Sequence, residues 1–177
     1  APDGKILGAQ VVGHEGVAKR LDTIAVAMCR GATAPELADL ELAYAPPFNS
    51  AKDPVNFAGM IADNVLKGDT YLTHGDEIPA DALILDVREP EEVALGAIPG
   101  STNIPLGQLR DRIKELDTAR EIVTVCRVGM RGYLAERILR QNGYRVSNLS
   151  GGYTIWTYFH PAPFTPAAKA HSSSRRP

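Results

Sequence analysis

The apolar positions of this chain follow two rhythms. Near its start, Lys5-Ile6-Leu7-Gly8-Ala9-Gln10-Val11-Val12 reads as a buried strand. A strand needs ladder partners for its N–H and C=O groups, and the residues up to 66 offer none. Val17, Leu21, Ile24, Ala25 and Met28 instead recur at helical spacing, with Gly31 as a stop. Thr33 and Glu36 fit a capping box, with Pro35 in the first turn of a short helix. Across 44–50 two prolines forbid regular structure. Asp53 can then cap a third helix, with Pro54 at its first position and Ala58, Ile61, Ala62 and Val65 on one face. One strand and about three helices make too little for a stable unit, so residues 1–66 are expected to belong to a larger domain or to need a partner chain.

Beyond this point strands and helices alternate. Apolar runs predict strands over 82–87, 102–104, 121–125 and 145–149. Between them lie an amphipathic helix over 106–116, with Leu106, Leu109 and Ile113 inward, and a helix over 132–142 that ends at Gly143. This order predicts an α/β fold, a parallel sheet flanked by helices. The organisation expected is a first unit over 1–66, a linker over 67–80 and a core over 81–160, with a starting strand placed at 70–73. A disordered Pro/Ala/Ser-rich tail is expected over 161–177.

Charge separates the two parts as well. Residues 1–66 carry five Lys/Arg against eight Asp/Glu, and the rest carry fourteen against thirteen. The whole chain has 177 residues and a net charge of −2, which argues against non-specific nucleic-acid binding. No apolar run approaches the ~18 residues of a membrane span, and no secretory signal pattern occurs. Two cysteines, Cys29 and Cys126, are too few for a disulfide framework and no cluster has zinc spacing. A cytoplasmic protein, with neither nucleic acid nor membrane as partner and no metal, is the expectation.

The chemistry concentrates at Cys126, where the strand over 121–125 ends and a helix follows. In open parallel sheets, ligands bind beyond the carboxyl ends of strands. A strand–loop–helix turn also converges backbone N–H groups and adds the positive end of a helix dipole. Such surroundings, with arginines nearby, favour a thiolate nucleophile. Gly129 would let the loop curl, and Arg127 and Arg131 would supply positive charge for an anionic substrate. The bland reading of a lone strand-end cysteine is a small buried hydrophobe. Arg-x-Gly-x-Arg directly after it favours the reactive one. Cys29, on a helix, is expected in the core.

Cys126-Arg127-Val128-Gly129-Met130-Arg131 resembles the active loop of the rhodanese sulfurtransferases. Asp86-Val87-Arg88-Glu89-Pro90-Glu91-Glu92, followed by 96–106, resembles the family's first signature. Leu149-Ser150-Gly151-Gly152-Tyr153 with Trp156 resembles its closing one. Ala97 and Ser101 depart from the residues frequent there, histidine and alanine. The resemblance implies that Cys126 takes sulfane sulfur from thiosulfate, polysulfide or a persulfide such as CoA persulfide. The loop residues Arg127, Val128, Gly129, Met130 and Arg131 would cradle the resulting persulfide, and a thiol acceptor would remove the sulfur. Asp86 and Arg88 would support the site as an ion pair. Related phosphatases use Cys-x5-Arg, whereas Arg131 here gives Cys-x4-Arg, a tighter ring suited to sulfur.

The segment 6–13 with 19–25 resembles the dimerisation domain of pyridine nucleotide-disulfide oxidoreductases. Tyr44-Ala45-Pro46-Pro47-Phe48 with Ala51-Lys52-Asp53-Pro54-Val55-Asn56 is similar to the CoA-disulfide reductase and NADH oxidase branch. The match covers the latter half of that α+β domain, so the expectation is an incomplete fragment at the carboxyl end of a longer, homodimeric flavoprotein. FAD, NAD(P)H and the substrate CoA are implied for that longer protein and its amino-terminal reductase domains. No cofactor is expected on this fragment, since no Gly-x-Gly-x-x-Gly occurs. Tyr44 would approach the partner's CoA-thiol site or pack at an interface. Pro46, Pro47 and Phe48 would lie near the partner's flavin or form a rigid turn. The alternative function is a non-catalytic rhodanese-like binding or regulatory module attached to a dimerisation interface.

Overall fold

The computed structural model describes residues 1–47 and 49–161. Phe48 and the tail beyond 161 lie outside the described residues. The first part holds α1 (Val17–Cys29), a 3₁₀ turn (Pro35–Asp39) and α2 (Pro54–Leu66). Asp53 caps α2 as its sequence signature predicts: the carboxylate accepts from the Val55 N–H at 3.0 Å, and the Asn56 side chain accepts from the Asp53 N–H at 3.0 Å. Asn56 is buried, and its amide also donates to the carbonyls of Leu37 and Leu40, each at 3.0 Å. This one side chain ties the 3₁₀ turn to α2. Ile6, Ile24, Ala27, Leu37 and Val55 form a small core around that junction.

Three expectations for this part fail. The strand over 5–12 does not form. Lys5 makes an isolated antiparallel bridge to Thr33, while Leu7 and Val12 are exposed. The rest of the segment finds no ladder among the described residues, so its apolar pattern has nothing to pair with. The inward face of α2 is the one bearing Val55, Asn56 and Gly59, whereas Ala58, Ile61 and Val65 are exposed. Gly59 decides this. Its missing side chain lets α2 approach the 3₁₀ turn so closely that a Cβ would lie 2.3 Å from the Ala38 nitrogen. Cys29 is exposed, because the buried stripe of α1 is Ile24 and Ala27.

The second part is a five-stranded parallel sheet. Its strands are β1 (Leu72–Thr73), β2 (Leu83–Asp86), β3 (Thr102–Asn103), β4 (Ile122–Val125) and β5 (Val146–Leu149), in the order β1-β5-β4-β2-β3. Its helices are α3 (Pro90–Ala94), α4 (Leu109–Arg112), α5 (Met130–Gln141) and α6 (Gly152–Phe159). β4 is central, and all four of its residues are buried, as a strand covered on both faces requires. Leu85, Val87, Ile104, Leu109, Ile122 and Leu139 fill one core; Ile98, Val123, Val125 and Leu149 fill another with Tyr153 and Trp156. The helix expected over 106–116 is α4 flanked by two 3₁₀ turns, Leu106–Gln108 and Ile113–Glu115. Gly107 weakens its first turn. α5 begins two residues before the expected start.

The two parts touch. The Asn64 amide on α2 donates to the Tyr133 hydroxyl on α5 at 3.3 Å, Arg137 donates to the Asp69 carbonyl at 2.7 Å, and Arg140 donates to the Gly68 carbonyl at 3.0 Å. No helix among the described residues is long and apolar enough to cross a membrane.

Candidate active site

β4 delivers Cys126 to its carboxyl end, and α5 starts four residues later. The chain must reverse between them within a short loop. Gly129 permits this with φ of 114°, a value L side chains rarely adopt. The turn aims the Gly129 N–H at the thiol, donating to Cys126 Sγ at 3.1 Å. The thiol itself is only 1% exposed.

The loop is held from behind. The Tyr153 N–H donates to the Cys126 carbonyl at 2.8 Å, and the Thr154 N–H donates to the Arg127 carbonyl at 3.0 Å. Both donors belong to the first turn of α6, whose N–H groups have no partner inside their own helix. With its carbonyls taken by α6, the loop can turn amide donors the other way, toward sulfur. Gly152 makes the approach possible: a Cβ there would lie 2.4 Å from the Cys126 oxygen. From β5, the Asn148 amide donates to the Gly129 carbonyl at 3.1 Å.

Asp86 and Arg88 form a buried bidentate pair, with Arg88 Nη2 2.6 Å from Asp86 Oδ2 and Nε 3.0 Å from Oδ1. Arg88 also donates to the Gly96 carbonyl at 2.9 Å and lies 4.2 Å from the Tyr153 ring centroid. Asn103 donates to the carbonyls of Asp86 and Arg88 at 2.8 and 2.9 Å. The pair thus fastens the end of β2 to the Gly96 turn and to the helix that backs the Cys126 loop, while Asn103 ties the same end to β3.

The two loop arginines differ. Arg127 is exposed and has no carboxylate at ion-pair distance among the described residues. Arg131 is engaged by Glu92 of α3 through two parallel bonds, Nη1–Oε2 at 2.6 Å and Nη2–Oε1 at 2.7 Å. This correction to the sequence reading matters, since Arg131 does not stand as a bare cation. The guanidinium hydrogen bonds pull the Glu92 carboxyl down to about 2, against the smaller opposing effect of burial. Arg131 is in turn held above its ordinary range by its hydrogen bonds to Glu92, against the opposing effect of burial.

Val128 and Met130 project from the loop into a cavity of about 510 Å³, where Phe57 and Ile61 of α2 and Tyr133 of α5 complete a largely apolar wall. Tyr44, Pro46 and Pro47 are exposed on the turn before α2 and line none of this cavity. The sequence reading missed Glu92, Asn148 and Gly152 as parts of the site. Glu92 carries a signal in Glu89-Pro90-x-Glu92, because its carboxylate also accepts from the Glu89 N–H at 3.1 Å in a capping box. α6 carried little periodicity to read, being apolar nearly all round.

Comparison with known proteins bears on this site. Residues 71–158 match the family model of the rhodanese-like domain. A sulfurtransferase of Allochromatium vinosum is 42% identical over 77 residues, 43% of this chain and 72% of its own length. The crystal structure of reduced CoADR-RHD from Bacillus anthracis matches with a TM-score of 0.80 at 44% identity, covering 83% of this chain and 27% of that one. An NAD-dependent persulfide reductase from A. fulgidus matches at 0.73 with 39% identity, covering 81% of this chain and 26% of that one. The chain thus spans about a quarter of the length of these two solved structures.

Proposed function

This chain belongs to the rhodanese-like family, and from that premise we propose that Cys126 carries sulfane sulfur as a persulfide. In this reading the Cys126 thiolate attacks the outer sulfur of a donor. With thiosulfate, a Cys126–S–S⁻ persulfide forms as the bond to sulfite breaks, and sulfite leaves with the electron pair. A thiol acceptor, or cyanide in an assay, then attacks the outer sulfur and restores the thiolate. The exchange with cyanide, which becomes thiocyanate as it takes up the sulfane sulfur, needs no external oxidant or reductant. The roles assigned are Cys126 as nucleophile, the loop of Arg127, Val128, Gly129, Met130 and Arg131 as cradle, and Asp86 with Arg88 as support.

The observation that carries this reading is the Gly129 N–H aimed at Sγ in a loop whose carbonyls are occupied by α6. Donors fixed toward a buried sulfur stabilise negative charge there at no reorganisation cost. The test is thiocyanate release from thiosulfate and cyanide by the reduced chain. Cys126→Ser is expected to lose essentially all turnover. Undiminished turnover in Cys126→Ser overturns the reading and leaves the alternative of a binding module.

We further propose that the chain works within a longer reductase of the CoA-disulfide, CoA-persulfide or polysulfide type. The likeness to two solved structures reaches well beyond residues 71–158, into the part that precedes them. In such a protein FAD and NAD(P)H would be held by other domains, since this sequence has no glycine-rich dinucleotide turn. Residues 1–66 would contribute to a homodimer interface, with the linker and core bounds as the sequence suggests. Tyr44, Pro46, Pro47 and Phe48 would meet the partner's CoA or flavin site.

A further inference from the structure

We propose that Glu92 sets the charge selectivity of the Cys126 site, tuning it to donors with a single negative charge near the transferred sulfur. This rests on the sulfur-transfer reading above. Three arginines lie on or beside the loop, and the structure gives each a different state. Arg88 is consumed by Asp86 in a buried pair. Arg131 is neutralised by Glu92 through two bonds of 2.6 and 2.7 Å. Only Arg127 has no carboxylate at ion-pair distance among the described residues. The cavity wall that Val128 and Met130 contribute is apolar and restores no charge. One uncompensated side-chain cation therefore stands on the loop, beside the dipole of α5. A dianion such as thiosulfate leaves one charge unmatched where a monoanion leaves none.

Thiosulfate and methanethiosulfonate deliver the same sulfur and differ by one charge. In the first, thiolate displaces sulfite; in the second, it displaces methanesulfinate. Each step makes one S–S bond at Cys126 and breaks one S–S bond in the donor. In a two-step exchange, kcat/KM for the donor reads the loading step alone. The ratio of kcat/KM for thiosulfate to that for methanethiosulfonate, with cyanide as acceptor, thus reports the charge that the donor meets.

Glu92→Gln adds one net positive charge at the site and is expected to raise this ratio about fivefold or more, the scale of a unit charge at short range in a partly solvated site. Arg131→Gln leaves the carboxylate alone and is expected to lower the ratio by a similar factor. The double variant restores the net charge, and its ratio is expected to return to within about twofold of the unaltered chain. A merely structural pair would not follow this order; all three variants would lose both donors in parallel. Far-UV circular dichroism shows which variants are folded, and Arg131→Gln decides the matter if Glu92→Gln is not. A ratio indifferent to the charge at 92 and 131, in a chain that loads sulfur, overturns the inference alone. An unaltered chain whose Cys126 takes sulfur from neither donor overturns the sulfur-transfer reading, and this inference with it.

Discussion

Gly152 is where one side chain would undo the loop. Its φ of 60° and the 2.4 Å separation of a virtual Cβ from the Cys126 oxygen leave no room for alanine. The obstacle is backbone, not the far end of a flexible side chain, so the loop itself would have to move. Gly152→Ala is expected to destabilise the chain by about 2–4 kcal/mol, combining overpacking with left-handed strain. It should also slow sulfur loading about tenfold or more by displacing the donors around Sγ. Urea unfolding and loading kinetics check the two parts, and a variant with unaltered kinetics would show that α6 does not position the loop. Glu92 offers a test in pH. Arg131 holds its carboxyl at about 2, below the ordinary 4.5, so between those values the folded chain binds fewer protons than the unfolded one. The stabilisation is complete above about pH 4.5 and is lost as pH falls through about 2. Urea midpoints measured from pH 5 to pH 3 are expected to fall less steeply in Glu92→Gln than in the unaltered chain.

At the scale of elements, periodicity was a good guide wherever burial was one-sided or a cap was written in the sequence. α1, α2 and α5 were legible for this reason, Asp53-Pro54 being the clearest mark, while β4 and β5 were legible as short runs whose residues are all buried. The pattern misled where the partner layer decides. The segment over 5–12 is apolar but makes only one isolated bridge, Lys5 to Thr33, among the described residues, and α2 turns the Gly59 face inward because a close approach outweighs side-chain hydrophobicity. α6 was invisible because both its apolar faces are spent against the sheet and on the surface, leaving no amphipathic period. The Asp86–Arg88 pair, read from the sequence as an ion pair, joins the end of β2 to the Gly96 turn and to Tyr153 of α6 in the structure. Arg88→Met leaves the Asp86 carboxylate buried without its counterion and is expected to cost about 3–5 kcal/mol. Adding Asp86→Asn in the same chain should recover part of that loss. Equal unfolding midpoints for Arg88→Met and the unaltered chain would refute this account of the junction.

Across the whole molecule, the place of Cys126 and its loop in the fold was readable because a strand end, a glycine and two arginines sit close together in the sequence. Their support was not, because Glu92, Asn148 and Gly152 reach the Cys126 loop only through the sheet order β1-β5-β4-β2-β3. That order sets β5 and β2 on either side of β4, and so brings α3 and α6 to the two flanks of one loop. The electrostatic state of Arg131 is a property of this arrangement and of no local motif. The same holds for the apolar cavity, which α2 of the first part and the loop of the second enclose between them. The central claim concerns one sulfur atom, and intact mass reads it directly. The reduced chain, exposed briefly to thiosulfate and separately to polysulfide, is predicted to gain one sulfur that cyanide removes, while Cys126→Ser gains none. A folded chain that gains no sulfur from either donor, or a Cys126→Ser chain that gains it equally, would contradict the account.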